Sequence, residues 1–196
     1  MKRWNLYSVA GLIFAVGGAV AYYGWAEEDY QRCADTVRQE DMFAIAQMVE
    51  DYQETAGHYP FQTTDETVTE ALLASRDLSE IERRGPPGDP MTIIDKDVFY
   101  DEVARVLGAK QVKRLADPQK VAVSAPNFYQ YRVYSGGYSI SVNLYNPVPQ
   151  SVELGPNYHK LQVGSEYYPD QKIYPFLQVP VGSILAASQA VAEHCN

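Results

Sequence analysis

The residues of this chain that could do chemistry are few and far apart. Its two cysteines, Cys33 and Cys195, stand near opposite ends of the sequence. In an oxidising compartment they could pair and close most of the chain into one loop, or they could be two unrelated thiols, because sequence supplies no distance between them. As a nucleophile Cys33 lacks a nearby activating base. His58, His159 and His194 are isolated and show no metal-ligand spacing. Asp95, Asp97, Asp101 and Glu102 hint at a calcium loop, yet Phe99 and Tyr100 stand where such a loop needs a ligand and a glycine, and a carboxylate-rich helix start accounts for them. There is no G-x-S-x-G elbow, no phosphate-cradling glycine loop, no dinucleotide fingerprint and no C-x-x-C. No catalytic residue, cofactor or small-molecule substrate is therefore assigned. The net charge of -9 argues against a nucleic-acid partner, whose phosphates this surface would repel.

What must position these groups begins with a charge-free run over residues 6–25, about the 20-residue apolar length that crosses a hydrocarbon core of roughly 30 Å. Lys2 and Arg3 precede it, and Glu27, Glu28 and Asp29 follow. The charge asymmetry predicts a single-pass protein of a bacterial inner membrane, with a cytoplasmic N-terminus and its bulk in the periplasm. A cleaved secretory signal ending at Gly24-Trp25-Ala26 is the alternative, and the apolar run is longer than the roughly 7 to 15 residues typical of one. Gly11, Ala15 and Ala19 form a ridge of small residues at four-residue steps, suited to contact with a second membrane helix. Tyr22, Tyr23 and Trp25 make an aromatic collar at the outer interface. The implied partners are the lipid bilayer and other membrane or envelope proteins.

Three segments follow from this reading: residues 1–26 as cytoplasmic tip and anchor, 27–60 as a helical extension, and 61–196 as one globular domain. No proline interrupts the helix before Pro60, and Gly57 is a natural left-handed residue just past its end, so the helix should close near Ala56. Its apolar stripe reads Tyr30, Ala34, Val37, Ile45, Met48, Tyr52 and Ala56, with Met42 and Phe43 taking over the seam near Asp41. A capping sequence at 64–67 predicts a short helix through Leu72 and Leu73. The glycines and prolines of 85–90 predict a loop, and residues 91–108 read as helical in their second half. The locally basic stretch 110–120 reads as a solvated face.

From residue 128 the period becomes alternating. Stretches 128–134 and 138–145 flank Gly136-Gly137, a hairpin signal. Tyr138, Ile140, Val142 and Leu144 should face the core, where Ile45, Val49 and Tyr52 of the helix would meet them, while Ser139, Ser141 and Asn143 face water. A further strand is expected from 160–163 or 176–179, and a closing amphipathic helix over 181–194. The 16 tyrosines, concentrated from Tyr129 to Tyr174, either pack the sheet or offer a sticky face. The fold class is α+β: a long N-terminal helix packed against a small antiparallel sheet.

The run from Asp41 to Pro60, with Ile45, Val49, Tyr52, Gly57, Tyr59 and Pro60, resembles the end of the helix in the type IV pilin-like superfamily. Asp117-Pro118, Tyr129-Gln130-Tyr131 and the Tyr138 strand look like the start of the sheet in the major pseudopilins of type II secretion. No glycine precedes Gly11, and no acidic residue occurs before Glu27, so the leader and the fifth-position glutamate of that family are missing. The resemblance implies a pilin-like periplasmic domain with a non-enzymatic role in a filament or envelope machine. It also implies a possible calcium loop, for which Glu153, Glu166 and Asp170 are the local carboxylates. The expected function is a non-enzymatic, membrane-anchored structural or accessory subunit that docks on a larger complex. A pilin-type filament subunit and an anchored hydrolase are the alternatives.

Overall fold

The computed structural model describes residues 4–64, 67–74, 91–117, 128–149, 151–155 and 158–165, with the side chains of 4–29 and of residue 91 left out of that description. Within these residues lie two helices, α1 (Trp4–Ala56) and α2 (Lys96–Leu107), and six strands. The strands are β1 (Val68–Leu73), β2 (Met91–Asp95), β3 (Tyr129–Tyr134), β4 (Gly137–Leu144), β5 (Val152–Gly155) and β6 (Tyr158–Gly164).

Helix α1 runs 53 residues without a proline and stops where the sequence changes its backbone demands. Gly57 takes φ 79°, open to glycine at little cost, and its N–H donates to the Gln53 carbonyl at 2.8 Å. Helix α2 ends the same way, with Gly108 at φ 91° donating to Ala104 at 2.9 Å. Asp97 in its first turn and Arg105 in its last match the helix dipole.

The sheet order is β2-β1-β3-β4-β6-β5. β1 and β2 are parallel, and every other neighbouring pair is antiparallel. Register places Ala71, Tyr131, Ile140 and Val163 in one row across four strands. These residues belong to the core shared with Met42, Ile45, Val49 and Tyr52 of α1 and Phe99, Tyr100 and Val103 of α2. Both helices therefore cover the same face of the sheet.

Several expectations are corrected by this architecture. The pilin-like arrangement, a long helix on a small antiparallel sheet, is overturned: the sheet is six-stranded and mixed, and α2 shares the core with α1. Residues 68–73 are a strand and not a helix, because all six are buried between β2 and β3, and pairing on both edges outweighs a local capping signal. Residues 91–95, the first half of the segment read toward α2, form the edge strand β2. The hairpin turn sits one residue earlier than read, at Ser135-Gly136, because Tyr134 pairs with Gly137. Ser139 and Ser141 are buried and do not face water.

Among the described residues no helix is long and apolar enough to cross a membrane. That finding overturns the single-pass inner-membrane placement, with its periplasmic bulk, and the membrane, secretion and pilin descriptions that went with it. The described part of α1 is unsuited to lipid because it carries Asp35, Arg38, Glu40, Asp41, Glu50, Asp51 and Glu54. The side chains of 6–25, on which the span was read, lie outside the described residues, as do the loop of 85–90 and the closing segments 176–179 and 181–194.

Candidate functional site

Two polar clusters stand out, one on each side of the sheet. On the helix side, α1 turns a polar face inward before it turns an apolar one. Tyr30 and Val37, read as members of the apolar stripe, are 47% and 40% exposed, whereas Asp35, Thr36 and Arg38 are buried. Burial of a guanidinium is tolerable only where charge and hydrogen bonds compensate it. Arg38 Nε donates to both carboxylate oxygens of Asp117, at 3.2 and 3.4 Å, and Nη1 donates to Asp35 at 3.4 Å. Its guanidinium carbon lies 5.1 Å from the ring centre of Tyr145. Desolvation alone would lower the Arg38 pKa; the charge and hydrogen bond of Asp117, with Asp35, outweigh it and hold it above its ordinary value.

Backbone geometry brings these partners in from distant parts of the chain. The Asp117 N–H donates to the Leu73 carbonyl at the end of β1, which sets its carboxylate against α1. Asp35 accepts from the backbone N–H groups of Tyr145 and Asn146, both at 2.8 Å, just past the end of β4, and from Asn146 Nδ2 at 2.9 Å. Further along α1, Asp41 accepts from the Tyr129 hydroxyl at 2.9 Å. Burial, foremost, raises the Asp41 carboxyl above its ordinary value. It also raises the Tyr129 phenol, so that hydroxyl keeps its proton. Three more buried tyrosines make long-range ties: Tyr138 of the sheet to Glu50 of α1 at 2.7 Å, Tyr52 of α1 to Glu102 of α2 at 2.5 Å, and Tyr131 of the sheet to the Pro60 carbonyl just past the end of α1 at 2.8 Å. Burial pushes the Tyr52 phenol up to about 12. Every one of these groups is engaged in holding α1 in the body.

The other face of the sheet carries a small apolar cluster of Leu72, Ala74 and Phe128 and, beside it, a row of polar residues. Register puts Glu70 of β1, Gln130 and Arg132 of β3, Ser139 and Ser141 of β4, and Lys160 and Gln162 of β6 on it. Arg132 Nε donates to Glu70 at 2.5 Å. The Gln130 side-chain oxygen accepts from Ser141 Oγ and from Lys160 Nζ, each at 3.1 Å. Burial, with the Arg132 charge adding to it and Glu70 opposing, brings the Lys160 amine down to about 8.

The sequence-derived residues fall as follows. Ile45, Val49, Tyr52, Tyr138, Ile140, Val142 and Leu144 meet in one buried cluster. Cys33 is in a disulfide; the other cysteine of the chain, Cys195, lies outside the described residues. Gly11, Ala15, Ala19, Tyr22, Tyr23 and Trp25 lie on α1 where side chains are not described. Of the calcium candidates, Asp97 and Asp101 engage Arg114, and Glu102 engages Arg105 and Tyr52. Glu153 sits on β5, and Glu166 and Asp170 are outside the described residues. Among the described residues no group of three or more His, Cys, Asp or Glu could hold a metal ion. Both polar clusters were missed from sequence. The spacing of Asp35 and Arg38 was the available signal for one, and the alternation of Lys160 and Gln162 for the other.

The chain matches no family model, no curated protein and no solved structure.

Proposed function

We propose that this chain is a non-enzymatic structural or interaction subunit: a compact body of sheet and helix carried on one rigid helix, through which it docks on a larger assembly. The observation that carries this reading is the length of α1. At 1.5 Å per residue its 53 residues extend about 80 Å. The radius of gyration of a domain of roughly 140 residues is about 14 Å, so such a body cannot enclose the whole rod. Among the described residues, the α1 side chains that the core buries run from Asp35 to Tyr52. A helix so much longer than its body is a spacer or a docking arm. The polar network supports the same reading, because Arg38, Asp35, Asp117 and the buried tyrosines are held by bonds within the chain, as members of a rigid joint are.

The test is purification of the full chain from its native host, with quantitative mass spectrometry of what accompanies it. The reading expects foreign subunits in a fixed ratio, lost on deletion of residues 4–29 while the circular dichroism of the body is retained. Recovery of the full chain alone, or partners unaffected by the deletion, would refute it.

A further inference from the structure

The polar row on the far face of the sheet is buried although both described helices pack on the opposite face. Ser139, Ser141 and Gln162 are only 6%, 5% and 8% exposed. An antiparallel sheet with one face open to water leaves the side chains of that face wet, so this row has a cover, which in a single chain is one of its own segments. Three longer stretches lie outside the described residues: 75–90, 118–127 and 166–196. The first joins β1 to β2, and the second runs from Asp117, bonded to the Leu73 carbonyl, toward β3. Gln162 of β6 lies two strands beyond β3, about 10 Å away at the usual strand spacing. The third stretch leaves from β6 itself, where the Ser165 N–H donates to the Tyr138 carbonyl at 3.2 Å and the Tyr138 N–H donates to Ser165 Oγ at 3.2 Å.

The other end of that stretch is fixed by a covalent bond. The chain has two cysteines and Cys33 is in a disulfide, so its partner within the chain is Cys195. The two anchors stand at opposite ends of the body. Tyr138, beside Ser165, bonds Glu50, whereas Cys33 closely precedes Asp35, which holds Tyr145 and Asn146 past the far end of β4. From Cys33 to Glu50 α1 rises about 25 Å at 1.5 Å per residue. Residues 166–194, at roughly 3.3 Å each when extended, reach about 95 Å and so have the slack to cross the sheet and round its end. Charge agrees with this route: Glu166, Asp170 and Glu193 outnumber Lys172 in the segment, and among the described residues of the face Arg132 and Lys160 outnumber Glu70.

We propose that residues 166–194 are a strap over the β4 and β6 part of this face, held shut by a Cys33–Cys195 disulfide and released by a dithiol. Exchange with the dithiol breaks the S–S bond: two electrons and two protons pass to the cysteine sulfurs, and the reagent is left as its own disulfide. With the bond intact the segment is held to the body at both ends. Without it one end is free, and the local concentration of the segment at the face falls. The strap is independent of docking through α1.

The experiment uses the full chain purified without reductant. Non-reducing peptide mapping should give Cys33 and Cys195 in one cross-linked pair from a monomer, lost on treatment with dithiothreitol. Lys160 reports the cover, because it shares the face with Ser141 and Gln162. With sulfo-NHS acetate it should react at least about tenfold more slowly than the exposed Lys110 and Lys113 in the oxidised chain, and gain at least about fivefold on reduction. Cys195→Ser should match the reduced chain in this rate, with the same circular dichroism in all three. A free Cys33 thiol in the unreduced chain, a bond joining two copies, or equal Lys160 rates before and after reduction would overturn the proposal. So would exposure that comes with loss of the circular dichroism, since the bond would then staple the whole fold.

Discussion

Two consecutive stretches of one helix are buried on opposite terms. From Asp35 to Asp41, α1 presents Asp35, Thr36 and Arg38 to the interior: Arg38 is held by Asp117, Asp35 by the Tyr145 and Asn146 backbone, and the Thr36 hydroxyl donates to the Arg32 carbonyl of its own helix. From Met42 to Tyr52 it presents Met42, Ile45, Val49 and Tyr52, which need little more than a matching apolar surface. Apolar burial is non-directional and proportional to area, so it tolerates modest changes of partner. Buried charge is not forgiving, since one missing partner leaves another charge uncompensated. The first stretch therefore sets where along the sheet the helix sits, and the second supplies most of the adhesion.

Breaking the polar stretch should have the largest effect. Arg38→Ala leaves Asp117 and Asp35 buried without their cation and should cost about 3 to 5 kcal/mol in chemical denaturation. The double variant Arg38→Met, Asp117→Leu should recover much of that loss. A double variant as unstable as the single one would show that the network is worth more than its charge balance. In the apolar stretch, Ile45→Ala should cost about 2 to 5 kcal/mol by leaving a cavity, and Ile45→Val only about 0.5 to 1.5. If Ile45→Val were as damaging as Arg38→Ala, the distinction between the stretches would collapse.

A tyrosine latch should matter less. Tyr138→Phe removes the bond to Glu50, whose carboxylate is half-buried, and should cost about 0.5 to 1.5 kcal/mol. The smallest effect should have the opposite sign. Asp41 is raised above its ordinary 3.8 by burial, so its charged form is disfavoured in the fold. Stability is then lost as pH rises from the unfolded value through the folded one. Asp41→Asn keeps an acceptor for Tyr129 and carries no charge. Its melting temperature should equal that of the parent near pH 3 and exceed it at pH 7. An Asp41→Asn variant less stable than the parent at pH 7 would show that the Tyr129 bond needs a charged acceptor.

Much of the chain could be read locally because its signals are local. Gly57 and Pro60 end α1 at Ala56, and the alternation of Tyr138, Ile140, Val142 and Leu144 marks the core face of β4. Residues 68–73 misled because a Thr-Asp-Glu capping pattern precedes them, whereas two neighbouring strands decide their state. Val37 misled because it continues an apolar period on a helix whose inward side at that point is ionic. Ser139 and Ser141 misled because alternation locates two faces of a strand and says nothing about whether the second meets water.

By itself, then, the sequence determined the helix ends, the two-residue period of the hairpin and the apolar rows, since glycine, proline and periodicity act over a few residues of contiguous chain. Tertiary structure alone decided that β1 joins β2 in parallel, that Asp117 arrives at Arg38 from 79 residues away, and that Gln130, Ser141 and Lys160 converge on one oxygen. Those outcomes depend on strand order and register. Pairings between distant segments close loops whose entropy a local sequence pattern does not encode, and a one-residue slip in any of them would send the polar row to the core.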